Sequence, residues 1–272
     1  MTASRAIILE QIAQAGAWLP ITTVRQAFAQ ADSLIPVLLA AIQNQAGPPT
    51  SPDIRERRLA AFGAFFLAQI REHRLFEPLV CLFESQDPDR QDEWLFSERL
   101  FFFGHRLLAG ICPLHPQALV DLAGNTALRP MTRSLALAAI GVQAAYGDVS
   151  RSDAVRQLRC LFTSVQATHS REMDASFART AAKLHSRELE KQLQWFLASG
   201  RLDSSCRYVV GTAIQQNPDL HFLSILTLES MVDLFTNIFP RDIRDGELGL
   251  LPNSQIPSLE LFLDGEPERR DN

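Results

Sequence analysis

Apolar residues recur in the middle of the chain with the spacing of helical stripes, and the stripes themselves repeat. Residues 58–70 (RLAAFGAFFLAQI) align with residues 99–111 (RLFFFGHRLLAGI) at an offset of 41 residues, with seven identities in thirteen positions. A third copy, LAAIG at residues 137–141, follows at an offset of 37 residues. A second apolar segment follows each copy, at residues 79–83, 119–123 and 158–162. Two interleaved series with a period near 40 residues predict paired helices that stack as HEAT or armadillo-like repeats.

The copy at residues 97–111 shows what one repeat helix presents to its surroundings. At 100° per residue, Phe103 and Leu107 fall on an apolar stripe, whereas His105 and Arg106 fall on the opposite polar arc. Phe102 lies within the polar arc. It either fills a gap against a neighbouring helix or serves as an exposed aromatic anchor for a partner protein.

Two residue types recur at fixed repeat positions. Gly63, Gly104 and Gly141 stand in mid-helix, where each costs about 1 kcal/mol relative to alanine, so we predict close helix approach at these points. Cys81 and Cys160 share a position in the second segment of their copies, and we predict that their thiols are buried because unpaired cysteine behaves as a small hydrophobe.

The pattern divides the chain into three parts. Residues 1–46 form a predicted helical cap, with helices at 4–15, from Pro20, and from Pro36 to Ile42. Residues 53–240 form the repeats and continue with helices at 171–184, 186–198, 204–216 and 222–239. Residues 241–272 form an acidic and largely irregular tail with one apolar island, IPSLELFL at residues 256–263. This island, with Leu259, Leu261 and Phe262, docks either on the chain itself or on another protein.

Composition places the chain among soluble globular proteins, with 46% hydrophobic and 21% charged residues. It contains no run of 18 apolar residues, and its N-terminal stretch carries an acid and glutamines, so we expect a cytoplasmic protein without a membrane span. From Arg241 onward the chain has eight acidic residues and four arginines. Because the net charge of the whole chain is −5, the residues before Arg241 carry a net charge near −1. A near-neutral body argues against nucleic acid as a partner.

No motif indicates a reaction. The four cysteines form no CxxC pair, and HExxH, GxSxG and phosphate-binding loops are absent from the sequence. We therefore predict no catalytic residue, no metal site and no cofactor. The cluster RERR, with Arg55, Arg57 and Arg58, begins a helix and is either a solvated turn or a receptor for an acidic segment, including the chain's own tail.

Residues 16–42 and 64–83 resemble a bacterial family of helical proteins, the domain of unknown function 1186. The resemblance lies in proline-initiated helices, an LAQ-x-RE segment and a following pair of helical repeats. The matching residues are Pro20, Ile35, Pro36, Leu38, Leu39, Leu67, Ala68, Gln69, Ile70, Arg71 and Glu72. It implies helical repeats but no activity. Some relatives end in a cysteine-rich zinc-binding tail, which does not carry over because no cysteine follows Cys206.

These patterns predict an all-α, HEAT/armadillo-like α-solenoid, a right-handed superhelix of helical hairpins. Its function would be that of a non-catalytic protein–protein interaction scaffold whose groove receives a helix or an extended peptide. The alternative is an enzyme on the same scaffold, of the chromophore lyase or nucleobase glycosylase type. The oligomeric state stays open. The candidate partner-binding residues are Phe102, His105, Arg106, Arg55, Arg57, Arg58, Leu259, Leu261 and Phe262.

Overall fold

The computed structural model describes residues 4–15, 19–46, 54–85, 97–112, 116–184 and 186–215, with the side chains of residues 21, 97–102 and 213–215 left out. These residues form twelve α-helices and two short 3-10 helices, His73–Leu75 and Arg187–Leu189, and contain no strand. None of the helices described has the length and apolar content needed to cross a bilayer. The α-helices are α1 (Arg5–Gln14), α2 (Ile21–Ala29), α3 (Ala31–Gln45), α4 (Ile54–Gln69), α5 (Phe76–Ser85), α6 (Ser97–Ile111), α7 (Pro116–Gly124), α8 (Pro130–Tyr146), α9 (Arg151–Thr168), α10 (Arg171–Leu184), α11 (Glu190–Ser199) and α12 (Ser204–Gln215).

The predicted helices that fall within the described residues are present, and the helix predicted at 222–239 lies outside those residues. The helix predicted from residue 186 begins as the 3-10 turn Arg187–Leu189, and the start predicted at Pro36 is wrong. Pro20 precedes α2 as expected. Pro36 does not begin a helix, because α3 starts five residues earlier, at Ala31, and carries the proline inside it. The reason is the one-residue connection at Gln30. Its carbonyl accepts bonds from the Ser33 amide at 3.0 Å and the Ser33 hydroxyl at 2.9 Å, so the first turn of α3 forms ahead of the proline.

Alternate helices contact one another in chain order. We call α4, α6, α8, α10 and α12 the first series, and each of them packs against the next. The second series, α5, α7, α9 and α11, lies beside it: α7 packs on α8, α9 on α8 and α10, and α11 on α10 and α12. At the other end, α1 and α3 pack on α4. A single cluster of buried residues therefore runs from Ile8 to Val210.

The recurring glycines lie at close contacts between helices, as predicted. A Cβ atom placed on Gly63, Gly104 or Gly141 would come within 3.1 Å of a side-chain atom on another helix. At Gly104 that atom is Cδ1 of Leu135 in α8, at 2.9 Å, and at Gly141 it is Cγ2 of Thr180 in α10, at 2.7 Å. In both cases the glycine admits a side chain from the next helix of the first series.

The prediction for the two repeat-matched thiols is wrong. Cys81 and Cys160 are exposed, and so is Asp121, which occupies the same position in the middle copy. This position of the second-series helices points away from the first series, so it does not require an apolar side chain. Cys112 and Cys206 are the buried thiols.

Thiol reactivity should therefore separate into two classes. Burial raises the pKa of Cys112 to about 12 and also raises the pKa of Cys206, so neither thiol forms much thiolate at neutral pH. Titration of the folded chain with Ellman's reagent should give prompt reaction of Cys81 and Cys160, with the other two reacting only in denaturant. Serine at positions 81 and 160 should abolish the prompt phase. Prompt reaction of a third thiol would contradict the assignment.

Two arginines, the buried Arg133 and the partly buried Arg201, link helices through polar contacts. Arg133 of α8 is 2% exposed and donates to the Ala123 carbonyl at 2.9 Å and to hydroxyls at the end of α9. Arg201, after α11, holds the buried carboxylate of Asp174 in α10 with two bonds, Nε to Oδ2 at 2.6 Å and Nη2 to Oδ1 at 2.8 Å. Its Nη1 donates to the Gln166 carbonyl at 3.0 Å. These contacts attach the second series to the first.

Candidate functional site

A cavity of about 170 Å³ opens where α4, α6 and the end of α8 meet. Its floor is apolar and its rim is polar and charged, which is the combination expected of a binding site. We call it the α4–α6 pocket. The floor is formed by Phe65, Ala68, Phe103, Leu107 and Gly110, and the rim by Gln69, Arg71, Arg106, Tyr146 and Asp148.

The floor is rigid. Phe65 is 4% and Phe103 is 7% exposed, and their rings meet edge to face with centroids 6.1 Å apart. Gly110 brings the main chain of α6 close to α4, since a Cβ atom there would lie 2.9 Å from the carbonyl oxygen of Ala68. The pocket is thus bounded by packed aromatic rings and by backbone atoms in close contact.

The end of α6 beside the pocket is fixed by two side chains from other segments. Nδ1 of His73 lies 2.9 Å from the Ile111 carbonyl oxygen and donates to it. Nε2 of Gln143 in α8 donates to the Cys112 carbonyl at 2.7 Å, in a buried bond. These bonds satisfy carbonyls that the helix end leaves without an intrahelical partner. They also hold α6 in place between α4 and α8.

Arg71 has an unusual backbone conformation at the pocket rim. It follows the last turn of α4 with φ of 58°, in the left-handed region. Its amide bonds to the Ala68 carbonyl at 3.1 Å, and the next amide, of Glu72, bonds to the Leu67 carbonyl at 2.9 Å. This is the Schellman arrangement, in which glycine is the usual left-handed residue.

Glycine serves this purpose after two other helices, and His169, with φ of 51°, does so after α9. Gly147 after α8 and Gly200 after α11 have φ of 77° and 74°. A side chain in this conformation costs about 1 kcal/mol or more relative to glycine. At Arg71 the side chain instead reaches across the pocket rim, with Nη1 2.9 Å from Oδ1 of Asp148. The backbone strain at the rim thus accompanies a charged group aimed at the cavity.

Substitutions at Arg71 should separate backbone strain from the ion pair. Arg71→Gly removes both, and because the pair is partly exposed and contributes about 0–1 kcal/mol, the free energy of unfolding should stay level or rise. Arg71→Ala removes the pair but keeps the strain, so it should be about 1 kcal/mol less stable than Arg71→Gly. Urea denaturation measures both. Greater stability of the alanine variant would contradict the strain argument.

Positive charge predominates around the pocket. The guanidinium of Arg106 lies over the Phe103 ring at 5.5 Å from its centroid. Burial raises the pKa of Tyr146, and the nearby charges of Arg106 and Arg71 oppose this shift. Desolvation lowers the pKa of Lys183 in α10, although the residue is exposed, and repulsion from Arg179 and Arg106 adds to this effect. Arg71 and Arg106 therefore both act on Tyr146, Arg106 also acts on Lys183 of α10, and Asp148 is paired with Arg71.

The structure places only some of the predicted site residues at or next to the α4–α6 pocket. Arg106 lines the pocket, and His105 precedes it on α6, partly buried. Arg55 instead forms an ion pair with Glu10 of α1. Arg58 donates to the Ala13 carbonyl at 3.4 Å. Arg57, which lies between Arg55 and Arg58 in the sequence, is partly buried. The RERR cluster thus contacts α1. The side chain of Phe102 and residues Leu259, Leu261 and Phe262 lie outside the described residues.

Of the ten residues that line the pocket, only Arg106 was predicted as a site residue, and Phe65, Arg71, Tyr146 and Asp148 are among those that were not. Phe65 was hidden in an apolar run, and Arg71 appeared only within the LAQIRE segment of the family resemblance. Tyr146 and Asp148 flank Gly147, where a glycine after a helical pattern marks a helix end. A glycine after a helical pattern predicts a turn, but it does not predict which distant segment packs against that turn. Arg71, which contacts Asp148, lies 77 positions before it in the sequence.

The comparison with protein families confirms the resemblance seen in the sequence. The sequence model of the family Protein of unknown function (DUF1186) matches residues 4–206. The chain belongs to this family. The matched span contains every residue of the α4–α6 pocket, so the pocket lies within the part that this family defines. The family's description gives it no activity, and searches of the curated proteins and of the solved structures found no match to the chain.

Proposed function

We propose that the chain is a non-catalytic, cytoplasmic protein-interaction scaffold built as a HEAT-like solenoid, a right-handed superhelix of helical hairpins. Two observations support the architecture. The first-series helices contact one another in chain order, and the apolar segments recur with a period near 40 residues. In this proposal residues 1–46 cap the first repeat of residues 53–240, and residues 241–272 form the tail.

The α4–α6 pocket is the observation that carries the interaction role. Its volume of about 170 Å³ is close to the roughly 150 Å³ of a dry cavity that accepts benzene, so it suits one aromatic or leucine-sized side chain. A single apolar side chain in a rigid pocket is a common anchor at protein interfaces. The cationic rim adds a preference for an acidic group beside that side chain. The partner we propose is therefore a protein or peptide segment, with no cofactor.

The enzyme alternative receives less support from the pocket. A chromophore lyase needs a cavity for its ligand, and small-molecule sites usually exceed about 300 Å³. A nucleobase glycosylase needs a carboxylate near aromatic side chains and a basic groove. Asp148 does lie near Tyr146, but its carboxylate is held by Arg71 at 2.9 Å. We therefore keep the interaction scaffold as the proposed function.

Partner capture with a filled pocket tests this proposal. Ala68→Leu places a larger apolar side chain in the cavity, whereas Ala167→Leu, at an exposed position of α9, is the matched control. Wild-type chain and control, immobilised as baits in an extract of the native host, should retain a protein that the Ala68→Leu bait loses. Identical captures by all three baits, with equal stability, would refute the role of the pocket. Release of a small molecule alone would favour the enzyme alternative.

A further inference from the structure

The pocket sets three requirements for an occupant. It must supply one side chain of about the size of an aromatic ring, because the cavity that Phe65 and Phe103 line measures about 170 Å³. It must supply negative charge next to that side chain, because the rim carries two cations, Arg71 and Arg106, against one carboxylate, Asp148, which is paired with Arg71. It must also lie in an accessible stretch of chain that can reach α4 and α6.

The chain's own C-terminal segment meets the first two requirements. Residues 256–264 read IPSLELFLD, and they form the one apolar island in a region of eight acids and four arginines. Glu260, Phe262 and Asp264 are spaced by two residues. In an extended segment, residues spaced by two project from the same side, so a carboxylate would stand on each side of the ring. The apolar ring and the flanking charges correspond to the apolar floor and the cationic rim.

The segment can also reach the pocket. Residues 216–255 separate it from α12, and 40 residues span at most roughly 130–145 Å when fully extended. With the helix predicted at residues 222–239 rising about 1.5 Å per residue, that limit falls to roughly 100–105 Å. Tethering within one chain raises the effective concentration of the segment at the pocket above that of a free peptide. Even a weak contact would therefore be well populated within one chain.

We propose that residues 256–264 dock in the α4–α6 pocket of their own chain, with Phe262 on the floor and Glu260 and Asp264 facing Arg71 and Arg106. This inference rests on the proposed function, because it names the first occupant of the proposed interaction site. A partner of the same chemistry must displace the segment before it binds. Residues 256–264 thus compete with the partner for the pocket and set the affinity that a partner needs in order to bind.

Photo-crosslinking in the full-length chain tests the docking. Gln69 lies at the rim and is exposed, so it can be replaced by photo-reactive p-benzoylphenylalanine without changing the floor. Irradiation of dilute protein should join position 69 to a peptide containing residues 256–264, in a product of monomer mass. Phe262→Ser or Ala68→Leu should lower the yield about tenfold or more, as for an anchor residue. Leu251→Ser and Ala167→Leu should leave the yield unchanged.

A charge exchange makes the test specific. Arg106→Glu should weaken the crosslink, and adding Asp264→Arg should restore it, whereas a merely structural effect of Arg106→Glu would persist. Crosslinks to another segment, a product of dimer mass only, or a yield indifferent to Phe262→Ser would each overturn the proposal.

Failure of the docking leaves the proposed function separately testable. If a partner requires the open pocket and the tail does not occupy it, wild-type and Phe262→Ser baits will capture that partner equally. If the tail does occupy the pocket, the Phe262→Ser bait will capture more.

Discussion

Arg201→Met should lower the free energy of unfolding by about 3–5 kcal/mol, the usual cost of leaving a buried charge without its partner. Asp174 is 2% exposed, and both of its carboxylate oxygens accept bonds from Arg201. Methionine fills much of the arginine's volume but supplies no donor. Urea denaturation at neutral pH measures the loss. Arg156→Met removes an ion pair of α9 at an arginine with a 75% exposed side chain, and this control should cost less than about 1 kcal/mol.

The loss should shrink in acid. Burial raises the pKa of Asp174, and the bonds from Arg201 oppose that shift, so without Arg201 the folded-state pKa rises further. A folded pKa above the unfolded value favours folding at low pH, and this gain disappears as pH rises through the folded pKa. The difference between wild type and Arg201→Met should therefore be smaller near about pH 4 than at neutral pH.

A double substitution supplies the cross-check. Arg201→Met combined with Asp174→Leu removes both charges and should recover most of the loss, because an apolar pair of similar volume is often tolerated in place of a buried ion pair. Simple addition of the two single effects would show that the groups do not interact.

Gly110→Ala should destabilise the chain by about 1–3 kcal/mol, although alanine is intrinsically the better helix former by about 1 kcal/mol. The added methyl group would lie 2.9 Å from the carbonyl oxygen of Ala68. A main-chain oxygen cannot rotate away, so α4 and α6 must separate at the floor of the pocket. The same variant should also weaken partner capture, because separation of these helices displaces Phe65 from Phe103.

Gly211→Ala is the matched control for this prediction. Gly211 lies in α12, and a Cβ atom there would meet nothing within 4 Å. Alanine should therefore raise the free energy of unfolding by up to about 1 kcal/mol. Thermal or urea denaturation of both variants measures the two signs. A stabilising Gly110→Ala would disprove the close main-chain contact.

Much of the fold was predictable because burial imposes a period. Helices α4, α6 and α8 each carry an apolar stripe and a mid-helix glycine, and the glycines lie at close contacts as expected. The local sequence pattern did not show which position of a helix faces the core or where a helix begins. Cys81 and Cys160 resemble core residues by type, yet their position faces outward. Pro36 resembles a helix start, yet a one-residue connection begins α3 earlier.

The site was less predictable for a different reason. Arg106 was recognised as a polar-face residue, because its helix could be drawn from the sequence. Its neighbours in the pocket come from separate helices, and Arg71 approaches Asp148 only through the left-handed turn that ends α4. Nothing in the amino-acid sequence indicates that Arg71 adopts the left-handed conformation that is usual for glycine. The contacts between these distant segments could be seen only in the three-dimensional structure.

The contact between Asp174 and Arg201 has a practical consequence for fragment design. A shortened chain that stops before residue 201 would retain the acid in α10 while losing its counter-charge. A C-terminal truncation should therefore end after Arg201. The family match, which extends to residue 206, includes this arginine. Expression fragments ending between α11 and Arg201 are expected to be unstable for this electrostatic reason alone.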